Sequence, residues 1–324
     1  DPITLQSKGA WDYKGKLNSA MTAHPKIDPV TGDMISFSYG FGVNKMSYFV
    51  VNSDGILTTY SEFETPYSSM VHDFIVTTKH VIFPIFPLII DFKLIAEGKS
   101  PLAWDANRPS QIGVMPRDGS INDIKWIESD PCYVFHPMNA HSNGNVVTCD
   151  VCQYGEAPLF PHADGSPPDR EKSKARLTRW TLDLDAGTSD YKCEQIEDSQ
   201  SEFPRLDERY MGLENRYGYF ACVVGGGADG DRYNGISRID MEAGSVKQFA
   251  MSPNLATSEP VFVPRSEDSP EGEGFLLATV YDSEIDKSHL IILDAENIEQ
   301  GPLAKAMMDH RVPFGFHGNW KPSV

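Results

Sequence analysis

The chain has 324 residues, 40% of them hydrophobic and 23% charged, which supports a sizeable core and excludes disorder, collagen and small disulfide-stapled scaffolds. Its 28 basic and 46 acidic side chains give a formal net charge of −18, a field that repels phosphate backbones, so no nucleic-acid partner is expected. The most apolar run, Val81 to Ile95, falls short of the roughly 20 residues a membrane helix needs and is interrupted by Pro84, Pro87, Asp91 and Lys93; no membrane span is expected.

Strand-like runs separated by turn signals dominate the chain, and helical periodicity is scarce. In order they are Met34 to Tyr39, Met46 to Val51, Phe74 to Phe83, Asn145 to Val151 and Ala175 to Leu184. Gly274 to Asp282 then pairs, across a polar turn, with His289 to Asp294. Between the runs lie Asp28-Pro29-Val30-Thr31-Gly32-Asp33, Asn52-Ser53-Asp54-Gly55 and Ala163-Asp164-Gly165-Ser166-Pro167-Pro168, where Gly, Pro and Asp supply turn dihedrals. About five such units without exact repeats favour a β-propeller over a sandwich, because each propeller sheet is one local meander. Pro161 to Lys174 and Ser258 to Gly274 read as solvent loops, and neither marks a domain boundary, so residues 1–324 are expected to form one β-propeller domain.

Five scattered cysteines, Cys132, Cys149, Cys152, Cys193 and Cys222, form no disulfide framework and suit a reducing, cytoplasmic setting. The spacing Cys149-Asp150-Val151-Cys152 lacks the second pair that a structural zinc requires and reads as a strand with its two cysteines on unlike faces. His72-Asp73 lacks the helical setting of metal-dependent phosphohydrolases. Val224 to Asp231 has neither the Gly-Lys-Ser/Thr ending nor the GxGxxG spacing of a phosphate loop and reads as a flexible turn; no GxSxG elbow is present.

Four histidines share an unusual context, flanked by apolar or small residues and by proline or glycine: His24, His72, His136 and His317. Any one alone reads as a satisfied core or turn residue. Four together suggest a transition-metal site, since neutral imidazole is a good ligand and a propeller brings distant strand ends to one axis. Glu202 and Glu259 are each embedded among apolar residues and prolines. Each is either a carboxylate paired with a nearby arginine or the acceptor that orients a ligating histidine through its second ring nitrogen.

The segments Thr22-Ala23-His24-Pro25, Val71-His72-Asp73-Phe74, His136-Pro137-Met138-Asn139-Ala140, Glu202-Phe203-Pro204-Arg205, Glu259-Pro260-Val261-Phe262-Val263-Pro264-Arg265 and Pro313-Phe314-Gly315-Phe316-His317-Gly318 resemble, in this order, the motifs of the carotenoid cleavage oxygenase family. The resemblance implies an all-β, seven-bladed β-propeller with a non-haem Fe(II) on its axis. It makes His24, His72, His136 and His317 the iron ligands and Glu202 and Glu259 two of three buttressing glutamates; the third has no counterpart here. Family members extend further at the N-terminus, so the chain is expected to supply roughly the C-terminal five blades, two thirds of the family domain. The start at Asp1-Pro2-Ile3-Thr4 reads as the inside of a longer protein.

Glu156 to Pro167, Arg205 to Arg209 with Arg216-Tyr217-Gly218-Tyr219, and His317-Gly318-Asn319-Trp320 look most like the lignostilbene dioxygenases. By that likeness the chain is an Fe(II)-dependent dioxygenase that uses O2 to cleave the central double bond of a hydroxystilbene, such as lignostilbene or resveratrol, into two aromatic aldehydes. The expected partner is a small hydrophobic phenolic alkene; a homodimer is compatible with this reading. Phe314 and Phe316 are candidate walls of the substrate tunnel, with packing between blades as the alternative. Competing readings are an apocarotenoid or carotenoid cleavage dioxygenase and a metal-free propeller serving as a binding scaffold.

Overall fold

The computed structural model describes residues 1–185, 191–228 and 232–322, and its architecture is five antiparallel sheets in succession. The first blade comprises Lys26–Ile27, Met34–Tyr39, Lys45–Val51 and Leu57–Glu64. The second comprises Ile75–Val76, His80–Ile85, Ser110–Pro116 and Lys125–Ser129, with a ribbon of Leu88–Ile90 and Leu102–Trp104 inserted at its middle. The third contains Tyr133–Asn143, Val146–Tyr154, Arg176–Asp183 and Tyr191–Gln195, the fourth Ser201–Leu206, Tyr217–Cys222, Gly235–Asp240 and Ser245–Ala250. In the fifth, a first strand broken into Leu255–Thr257 and Val261–Pro264 pairs with Gly274–Asp282, followed by Lys287–Asp294 and Pro302–Met307.

Within each blade, hydrogen-bonded order follows chain order, the meander expected of a propeller. The first strand of the third blade touches the first strands of the second and fourth, and that of the fourth touches Val261–Pro264 of the fifth, so these strands form the inner wall. Middle strands bury both faces against neighbouring blades, whereas Tyr191–Gln195 and Pro302–Met307 are largely exposed. Trp104, Trp180 and Phe220 are fully buried in a core running from the second to the fourth blade. Tyr219 stacks on Phe262 at 5.4 Å to join the fourth blade to the fifth.

Two expectations need correction. Phe74 to Phe83 is two strands, because Thr77 Oγ1 accepts the backbone N–H groups of Lys79 and His80 and closes a turn between them. Ser258 to Gly274 is only partly loop: Glu259 is buried and Val261–Pro264 is a strand. Pro161 to Lys174 is irregular as expected, yet it is anchored at Glu156, a buried carboxylate that accepts from His162 Nε2 and from the Asp169 N–H. Cys149 and Cys152 are both fully buried on one strand, and burial pushes their thiols up, away from the thiolate a metal needs. Of the glycine-rich turn, residues 229–231 lie outside the described residues.

The first blade is tied to the second by Asp28, whose carboxylate accepts the N–H groups of Val30 and Thr31 and pairs with Arg117 at 2.6 Å. Burial opposes its charge, but these donors outweigh it and hold the carboxyl below its usual range. The stabilisation is therefore present at neutral pH and fades as pH falls through the carboxylate range near 4. Asp28→Asn should cost about 1–3 kcal/mol in urea unfolding at pH 7. The gap between the two proteins should close towards pH 3, and a gap that does not narrow would sink this account.

Candidate metal centre

Each blade delivers its site residue where the ladder is interrupted, and the interruption is written in the sequence. Proline has no N–H to give a ladder, so a strand bulges or stops beside it. His24 precedes Pro25 just before the first strand of the first blade. His136 precedes Pro137, where pairing with the next strand slips twice between Val134 and Asn139. Glu202 lies at the edge of a bulge containing Phe203 and Pro204, and Phe203 adopts φ +54°, an uncommon conformation for a bulky residue. Glu259 occupies the gap that Pro260 opens in the first strand of the fifth blade. His72 lies just before the first strand of the second blade, and His317 in the extended tail beyond the fifth.

These devices bring His24, His72, His136 and His317 together, with one ring nitrogen of each inside a common 4.8 Å. His72 Nε2 lies 3.1 Å from His24 Nε2 and 3.2 Å from His136 Nε2. Two imidazole nitrogens bound at about 2.1 Å and at right angles would stand roughly 3.0 Å apart, so the spacing suits one metal ion. Burial, together with Lys26 beside His24 and His136 beside His72, lowers both pKa values to about 3; these rings are neutral at physiological pH, as ligands must be.

The carboxylates stand behind the imidazoles. Glu202 Oε2 lies 2.6 Å from His136 Nδ1, and Tyr154 donates to Glu202 Oε1 at 3.1 Å. Burial works against a charged His136, yet the Glu202 carboxylate outweighs it and raises its pKa. Glu259 Oε1 lies 3.1 Å from His317 Nδ1, while Oε2 accepts from the Gly318 N–H and pairs with Arg205 at 3.0 Å. Burial alone would raise the Glu259 carboxyl; the His317 hydrogen bond and Arg205 overcome this and hold it low. Both Nδ1 atoms are thus occupied, leaving Nε2 of His136 and His317 for a cation. Beside His24, Asp73 lies 3.9 Å from Nδ1 but is paired with Lys26 at 2.9 Å. No carboxylate hydrogen-bonds His72 among the described residues.

The simple arginine-pair reading of the two glutamates is corrected. Arg205 bypasses nearby Glu202 and reaches across to Glu259, and Arg265 pairs with Glu273 and Glu296. Phe203 packs on His136 at 5.5 Å and on His317 at 5.8 Å between ring centroids. A cavity of about 450 Å³ adjoins His317, and its lining includes Phe203, Tyr233, Phe314 and Phe316. Phe314 and Phe316 are 58% and 71% exposed, so neither packs between blades here. Sequence reasoning missed Tyr154, Phe203 and the Lys26–Asp73 pair. Phe203, Lys26 and Asp73 each lie beside a motif residue and so carried a local signal, whereas Tyr154 carried none.

The fold agrees with comparisons to known proteins. The family model described as retinal pigment epithelial membrane protein matches residues 1–322. Isoeugenol monooxygenase of Pseudomonas putida is 35% identical over 99% of this chain and 70% of its own length. Lignostilbene-alpha,beta-dioxygenase isozyme III of Sphingomonas paucimobilis is 34% identical over 99% of this chain and 69% of its own. The crystal structure of Pseudomonas brassicacearum lignostilbene dioxygenase superposes with a TM-score of 0.94, at 31% identity, covering all of this chain and 70% of that one. The chain belongs to the carotenoid cleavage oxygenase family, and it is an oxygenase that cleaves carbon–carbon double bonds.

If the two carboxylates orient their imidazoles, Glu202→Gln and Glu259→Gln should each weaken Co(II) or Fe(II) binding about 10- to 100-fold. Equilibrium titration against a competing chelator measures this. Affinities equal to that of the unaltered protein would show that the hydrogen bonds serve packing alone.

Proposed function

We propose that the chain holds Fe(II) on His24, His72, His136 and His317 and, with O2, cleaves the double bond of a hydroxystilbene of the lignostilbene or resveratrol type. The observation that carries this reading is the convergence of four imidazoles, two of them backed by carboxylates that stay out of the ligand set. The substrate class is supported by the likeness to an isoeugenol monooxygenase and to lignostilbene dioxygenases. The atoms balance: one alkene carbon–carbon double bond and one O2 are consumed, and two aldehyde carbonyls form.

Iron held by four neutral imidazoles would supply a redox-active dication with coordination positions open to the oxygen chemistry. The protein's own part is positional. Glu202 and Glu259 fix the tautomers of His136 and His317, with the proton on Nδ1. The Phe203 ring packs at a tilt on buried His136 and edge-on against His317, which stays open to the cavity. Phe314 and Phe316, in the wall of the adjoining cavity, would guide an apolar substrate towards His317. No side chain is required as a nucleophile, because the substrate's own phenolate can push electron density into its double bond.

The test is to load the protein with Fe(II), quantify bound iron, and incubate it with resveratrol and, in parallel, with an apocarotenoid. Stoichiometric iron and release of 4-hydroxybenzaldehyde are expected from resveratrol, with both reduced to background in His136→Ala. Polyene cleavage without hydroxybenzaldehyde would overturn the substrate class. Activity retained by His136→Ala would overturn the centre itself.

A further inference from the structure

The two buttressing carboxylates are held by different kinds of donor. Glu259 shares its charge with a cation, the Arg205 guanidinium, and also accepts the Gly318 N–H. Glu202 meets only neutral donors besides His136: the Phe203 N–H on Oε2 and the Tyr154 hydroxyl on Oε1. Tyr154 ends the second strand of the third blade, is 5% exposed, and has the ring of Phe135 edge-on at 5.8 Å. Burial, then the adjacent Glu202 charge, pushes its phenol well above the usual tyrosine value, so it keeps its proton. An ionised carboxylate only accepts, which makes Tyr154 the donor.

This difference has a physical consequence for His136. A guanidinium neutralises much of the carboxylate it binds, whereas a phenol fixes the direction of a carboxylate and leaves its charge largely intact. The contacts run in the same sense: Glu202 approaches His136 Nδ1 at 2.6 Å, and Glu259 approaches His317 Nδ1 at 3.1 Å. Without the hydroxyl, Glu202 Oε1 would be a buried acceptor lacking its partner, free to rotate away from the imidazole.

We propose that Tyr154 is a positioning residue whose hydroxyl aims the Glu202 carboxylate at His136 Nδ1 and thereby sets the strength with which His136 binds the metal. The inference rests on the metal-centre reading above. It concerns a residue that touches neither metal nor substrate.

Tyr154→Phe removes one oxygen and keeps the ring, and Co(II) is the probe because its d–d absorption reports ligand geometry apart from turnover. The Co(II) dissociation constant should rise about 3- to 30-fold, below or within the 10- to 100-fold range expected for loss of a direct partner of a ligating histidine, and the d–d bands should shift. In a Glu202→Gln background the same substitution should add almost nothing, because its route to His136 is already cut. A lower melting temperature with unchanged Co(II) affinity and spectrum would assign Tyr154 to packing and overturn the proposal. Should Tyr154→Phe fail to fold, 3-fluorotyrosine at this position keeps the hydroxyl while making it a stronger donor; shifted d–d bands would support the proposal and unshifted bands would refute it. Absence of Co(II) binding by the unaltered protein would overturn the metal-centre reading and this inference with it, whereas normal binding with an unaffected variant overturns this inference alone.

Discussion

The structure turns on one electrostatic constraint: four imidazole nitrogens lie within a common 4.8 Å, a crowding that a bound cation would relieve. Glu202 occupies Nδ1 of His136, whose Nε2 lies 3.2 Å from His72 Nε2, with His24 Nε2 a further 3.1 Å from His72. One proton on His72 can serve one of these neighbours well; a dication serves all four rings. Protonating His24 or His72 is no alternative, since burial drives their pKa values to about 3; of the rings, His136 is the one that a carboxylate, Glu202, shifts towards its charged form. The cluster would therefore suit the metal proposed above, whose charge would satisfy the ring nitrogens that face one another.

Placing the rings this closely requires the inner strands to stop being regular at chosen points. A continuous antiparallel ladder would turn alternate side chains towards the neighbouring blades and none reliably along the axis. Prolines at 25, 137, 204 and 260 withhold ladder donors beside His24, His136, Glu202 and Glu259. The bulges they accompany re-aim those side chains. Phe203 carries the conformational cost: its positive φ turns its N–H back onto Glu202 and its ring onto His136 and His317. Strain at this point is offset by the hydrogen bond and ring contacts it creates.

Much of this was legible in the sequence because the signals are local. Strands such as Met34–Tyr39 and Gly274–Asp282 announce themselves by composition and bounding turns, and the five meanders follow from their succession. The four histidines and two glutamates were legible from their proline- and glycine-marked contexts and from the family resemblance these contexts carry. Pairings across blades were not. Arg205 lies three residues from Glu202, yet it serves Glu259, because the bulge turns Glu202 towards the axis while the fifth blade brings Glu259 to Arg205. Tyr154 ends an unremarkable strand, and its partner is 48 residues away on the next blade. The turn at Thr77 was hidden for a different reason, since a single side-chain oxygen replaces the glycine or proline that usually marks a turn.

The charges around the centre do not cancel evenly. Arg205 compensates Glu259 and Lys26 compensates Asp73, which leaves Glu202 as the one buried carboxylate near the rings without a cationic partner of its own. Were a dication held by neutral histidines there, as proposed, the local balance would be a single residual positive charge, partly offset on the His136 side. His136 would then be the strongest donor and His317 a weaker one, because Glu259 is shared with Arg205, while His24 and His72 lack an unshared carboxylate among the described residues. Such a residual positive charge would favour an electron-rich alkene carrying a phenolate over a neutral one, in keeping with the substrate class proposed above. The same inequality among the proposed ligands that would tune a bound metal would thus also bear on which double bond the site prefers.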